Sequence, residues 1–151
     1  MRMKLFFHFV PVLLVAAAVM IFGVALAQEG SAAESDSGVN LAVVAQPSSS
    51  YVSGDTRLSA LNDGYNPRRS RDSRRGSYGN WNRRGTQWVQ YDWSRPVYTN
   101  KIDVYWWADG QGINLPKACR LLYWNGSDFV PVDNPSGLGV EGNQYNTTTF
   151  D

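Results

Sequence analysis

The chain has 151 residues, with 14 basic groups against 13 acidic ones and a net charge of +1, which is enough for one domain and short for two. A charge this close to balance gives no reason to expect a nucleic-acid partner. A single cysteine excludes an internal disulfide, and a single histidine, His8, excludes a histidine cluster.

At the amino end, Arg2 and Lys4 precede an almost wholly apolar run from Leu5 to Gly23, and Ala25-Leu26-Ala27 has the small-x-small form of a cleavage site. The pattern predicts a signal peptide over residues 1–27, cleaved after Ala27, and export of the remainder to an extracellular or periplasmic space. The alternative is a retained membrane anchor. Cleavage would leave 12 basic groups against 13 acidic ones and no stable membrane span. It would also remove His8, and with it any histidine-based triad. Residues 28–38 are small, polar and acidic, as in a flexible linker, so the fold is expected to begin near Asn40 in a domain covering 39–151.

"NLAVVAQPSSSYVSG" then reads as a first strand and a turn. Residues 64–86 hold seven arginines against one aspartate, broken by glycines, which predicts a long and partly mobile loop. From Gln87 the period is two: Val89, Tyr91 and Trp93 share one face. Ile102, Val104 and Trp106 share the next, with Asp103, Tyr105 and Trp107 opposite. These apolar faces are the predicted core. "ACRLLYWNGSDFVPV" predicts a hairpin with strands 118–124 and 128–132 around an Asn125-Gly126 turn, and its alternation predicts that Cys119 is a buried free thiol.

No stretch after the leader has helical periodicity, so the fold class is an all-β antiparallel sandwich or jelly roll. "EGNQYNTTTF" reads as the entry to one more strand, whose far edge no later strand covers.

The ordered set "NLA", "SSSYVSGDTRLSALNDG", "GTQWVQYDW", "IDVYWWADGQGINLP" and "YWNGSDFVPV" resembles the discoidin-like, or coagulation-factor C-terminal, galactose-binding-like superfamily. It looks most like the carbohydrate-binding modules of secreted bacterial glycoside hydrolases, including β-L-arabinofuranosidase-like proteins. The likeness covers about residues 39–150. It implies an eight-stranded discoidin-like jelly-roll β-sandwich and non-catalytic binding of a carbohydrate or polysaccharide, accessory to a glycoside hydrolase. Two features depart from that pattern. Family domains carry further closing strands beyond the point this chain reaches, and an arginine-rich insertion at 67–84 is unusual in a sugar module.

"ALNDGYN" gathers oxygen donors of the kind calcium prefers, and the resemblance implies a structural calcium at this turn, held by Asp63, Asn66 and the Leu61 carbonyl. The plain alternative is an Asx turn with Asp63 facing solvent. For a sugar, the candidate contacts are Trp81, Tyr78 and Trp107 as stacking faces, with Asp109, Arg83 and Arg84 as hydroxyl partners. Trp124, beside the Asn125-Gly126 turn, is a weaker aromatic candidate. The arginines at 68, 69, 71, 74, 75, 83 and 84 support a different reading: a structural or adhesion module whose loop binds a protein or an anionic surface polymer. Asp92 and Asp103 have no spacing that establishes a shared catalytic pocket, so no catalytic residue is assigned.

Overall fold

The computed structural model describes residues 1–9, 17–23, 38–72, 76–108, 110 and 114–151. Among the described residues nine strands run in chain order as β1 (Arg2–Phe9), β2 (Ala17–Gly23), β3 (Val39–Asn40), β4 (Gln46–Ser49), β5 (Gly85–Asp92), β6 (Lys101–Trp106), β7 (Ala118–Trp124), β8 (Phe129–Pro131) and β9 (Gln144–Thr149). They form a five-stranded sheet ordered β4-β5-β1-β7-β8 and a four-stranded sheet ordered β3-β2-β6-β9. Every pairing is antiparallel. Two short 3-10 turns, Leu41–Val44 and Leu58–Leu61, are the helical elements among the described residues.

The period-two reading holds where side chains alternate cleanly. Val89, Tyr91 and Trp93 on β5 and its exit are buried, while Trp88, Gln90 and Asp92 on the other face are half-buried. Ile102, Val104 and Trp106 of β6 face them from the second sheet. Phe7 of β1 meets Trp106 edge to face with ring centroids 5.6 Å apart, so the two sheets share one core in a sandwich-like arrangement. The hairpin also forms: Asn125 Oδ1 accepts from the N–H groups of Ser127 and Asp128, both at 2.9 Å, which closes the turn between β7 and β8.

In the intact chain strands begin ahead of the Asn40 expected to open the domain left by cleavage: β1 lies between β5 and β7 and is paired with both. Met3, Leu5 and Phe7 are 1–3% exposed, and burial of each side chain contributes roughly 1.5–3 kcal/mol. β2 likewise lies inside its sheet, between β3 and β6. The apolar composition that reads as a leader also supplies the alternating inner face of a strand.

The edge of β9 is less open than its sequence suggests. Ser136 and Thr149 exchange backbone hydrogen bonds of 2.8 and 2.9 Å. The Leu138 and Glu141 N–H groups donate to Thr148 Oγ1 and Asn146 Oδ1. The segment after β8 therefore returns along β9 and satisfies polar groups that an edge would otherwise present.

Candidate functional site

The described residues between 64 and 84 form no strand, whereas Gly85 and Thr86 at the end of the expected loop belong to β5, and the described part of the loop is tied down. Ser70 is buried; its N–H donates to Asn143 Oδ1 at 2.7 Å, and its Oγ accepts from the Ala108 N–H at 2.8 Å. The Tyr105 hydroxyl donates to the same Asn143 oxygen at 3.2 Å. Ser70 thus pins the arginine-rich segment to the end of β6, where Trp107 leaves the sheet. The loop folds back over Tyr105, which explains why this outward position is only 2% exposed, while Asp103 is held by Thr147 and Lys101.

The result is a small cleft lined by Trp107, Tyr65 and Tyr105 as aromatic walls and by Asp63, Asp72 and Ser77 as polar groups. Its enclosed space is about 20 Å³, room for a water or one hydroxyl but not for a ring. A ring would have to rest on the exposed face of half-buried Trp107 and send a hydroxyl inward. Burial raises the Tyr105 phenol, with the nearby Asp72 acting in the same direction and the Ser70 hydrogen bond opposing, so it stays protonated and can donate at neutral pH.

The predicted contacts divide. Tyr78 also lines this cleft, yet it is a core residue, 1% exposed, whose hydroxyl donates to the Tyr51 carbonyl at 3.0 Å. Burial pushes its phenol up to about 12, against a lowering hydrogen bond with Ser49. It is a wall of the site and not a surface ring. Trp81 is 45% exposed but does not line the cleft. Arg83 lies over the Tyr51 ring, 4.3 Å from its centroid, and Arg84 is exposed. Asp109, Arg74 and Arg75 lie outside the described residues. Beside Trp81, the buried Asn80 Nδ2 has no hydrogen-bond partner among the described residues, a donor that a water or a ligand oxygen would satisfy.

The oxygens read as calcium ligands have other partners. Leu61 O accepts from the Tyr91 hydroxyl at 2.8 Å. Asp63 Oδ1 accepts from the Tyr65 N–H at 2.9 Å, closing an Asx turn, while Oδ2 faces Arg57 Nη2 at 3.9 Å. Asn66 Oδ1 accepts from the Tyr145 hydroxyl at 3.4 Å. Each of these oxygens thus has a partner within the chain, the loosest being Asp63 Oδ2 opposite the Arg57 guanidinium. Among the described residues no group of three His, Cys, Asp or Glu side chains could hold a metal.

Sequence reasoning missed a second concavity, an open trough of about 680 Å³ between the Pro96–Asn100 segment and Tyr123 and Trp124. Its protruding ring, Tyr98, is 78% exposed. Proline followed by an isolated apolar pair at Val97-Tyr98 was the available signal. Asp92 and Asp103 lie on different sheets, Asp92 against Arg2 at 3.0 Å and Asp103 against Lys101 at 3.7 Å.

These features define an all-β protein of two antiparallel sheets with a loop-built cleft at the end of β6. No protein family, curated protein or solved structure matches the chain. No helix among the described residues is long and apolar enough to cross a membrane.

Proposed function

We propose that the chain is a non-catalytic carbohydrate-binding module of the discoidin-like jelly-roll kind, exported and accessory to a glycoside hydrolase. The observation that carries this reading is Trp107, a half-exposed indole on the rim of a cleft that also holds Asp63, Asp72 and Ser77. An aromatic plane packs on the C–H face of a sugar while carboxylates and hydroxyls orient its hydroxyl groups. The narrow cleft favours shallow, weak binding in which one hydroxyl enters and the ring stays outside. The larger trough has the volume of a ligand site, but we place the sugar at Trp107 because polar groups converge there.

A glycan array on the folded chain, followed by titration of the best ligand, tests the proposal. Trp107→Ala is expected to weaken binding at least tenfold with the melting temperature held within a few degrees, whereas Tyr98→Ala leaves it unchanged. Dependence on Tyr98 in place of Trp107 would move the site to the trough, and no glycan bound by the folded chain would end the carbohydrate reading. A structural calcium belongs to the same resemblance and requires Arg57 to leave Asp63; a calcium-dependent rise in melting temperature tests it.

The exposed side chains of Arg68, Arg69 and Arg71, carried on the segment pinned by Ser70, favour a second reading, an anionic surface polymer as ligand. Binding of that kind falls steeply with salt, while stacking of a neutral sugar on Trp107 changes little.

A further inference from the structure

The position of β1 raises a question that the carbohydrate reading leaves untouched. A segment with the composition of a removable leader occupies the middle of the five-stranded sheet, and its two faces meet different chemistry. Inward, Met3, Leu5 and Phe7 enter the common core. Outward, Arg2 pairs with Asp92 at 3.0 Å. Lys4 Nζ lies 4.2 Å from the centroid of the Trp88 ring on β5 and 4.5 Å from that of Phe129 on β8.

The walls around β1 are therefore selective in two ways. β5 and β7 each offer a row of backbone hydrogen-bonding groups to it, in the registers Leu5↔Val89 and Leu5↔Leu121. An aromatic face and a carboxylate from β5, with a second aromatic face from β8, then meet the cations at outward positions 2 and 4. An acidic or uniformly apolar strand would satisfy the backbone but take the cation from Asp92, leaving it the Gln90 amide alone, and from the faces of the two rings.

We propose that the gap between β5 and β7 is a strand-acceptor site whose ligand is an extended peptide with apolar residues at its inward positions and basic residues at its first two outward ones, and that Arg2–Phe9 is its occupant in this chain. Recognition is by strand addition: main-chain hydrogen bonds provide affinity and the alternate side chains provide selectivity. Removal of residues 1–27 would open the site to another segment with the same pattern.

The test uses the full chain with a specific protease site placed between Phe9 and Ala17. After cutting, the amino-terminal fragment is expected to co-elute with the remainder, and a labelled peptide of residues 1–10 is expected to exchange into its place. A peptide carrying Lys4→Glu is expected to bind about tenfold more weakly, and one carrying Leu5→Asp about a hundredfold or more. Separation of the cut fragments under native conditions would overturn the proposal. Equal uptake of the Leu5→Asp peptide, or of the Lys4→Glu peptide, would overturn the recognition code.

Discussion

At the scale of single residues, burial sets the protonation of several groups away from the cleft's exposed face. Desolvation pushes the Cys119 thiol up to about 11 from its ordinary 9.0. The phenol of Tyr78 rises to about 12 for the same principal reason, and buried Tyr91 rises too. In the folded chain these groups keep protons that the unfolded chain has released, so their contribution to stability is complete below about pH 9 and is lost as pH climbs toward 12. A urea midpoint that is level near neutrality and falls across that alkaline window is expected. Cys119→Ala should delay the onset of the fall, because the thiol is the first of these groups to titrate in the unfolded chain. A midpoint that stays flat or rises through the window would contradict the burial of Tyr78 and Tyr91 and the partial burial of Cys119.

The core and the cleft were legible in the sequence to different degrees at this scale. Val89, Tyr91, Trp93, Ile102, Val104 and Trp106 recur at every second position, and all are buried as the period implies. Tyr78 misled because glycine and arginine surround it, a composition that signals a solvated loop. Its burial depends on the Tyr51 carbonyl reaching its hydroxyl, a contact between distant parts of the chain. Trp107 was readable as the ring at a strand's exit, but its polar neighbours Asp72 and Ser77 were not, since Ser70 brings their loop to it through Asn143 and Ala108.

Among the elements, β5, β6 and the β7-β8 hairpin follow from alternation and the Asn125-Gly126 turn. β1 and β2 do not, because a continuous apolar run hides a period of two. After Lys4 the run continues Leu5-Phe6-Phe7 with no polar residue to mark an outward face. The cover on β9 was also illegible, since it depends on a close approach of two backbones. A Cβ on Gly137 would lie 2.2 Å from the Thr147 carbonyl oxygen, and the residue has φ +115°. Gly126 has nearly the same φ, +114°, with nothing within 4 Å of the corresponding position. Gly137→Ala is therefore expected to destabilise the fold by more than Gly126→Ala, with the excess on the order of 1–3 kcal/mol from the clash. Denaturant unfolding of the two variants checks this, and equal losses would contradict the seating of the 136–141 segment along β9.

For the whole molecule, one strand decides how the sandwich is closed. β1 joins the β4-β5 half of its sheet to the β7-β8 hairpin, and its Phe7 reaches Trp106 on the opposite sheet. Without it β5 and β7 would each lose a partner along most of their length, and three fully buried side chains would leave the core. The cleft beside Trp107 stands on β6 in the second sheet, where the same core supports it from below. The occupancy proposed for the acceptor site thus rests on residues 2–9 lying inside the fold. Amide hydrogen exchange on the intact chain, read residue by residue, tests that placement directly. The amides of Leu5 and Phe7 are expected to exchange as slowly as those of Val89 and Leu121. Free exchange at Leu5 and Phe7 while Val89 and Leu121 remain protected would contradict it.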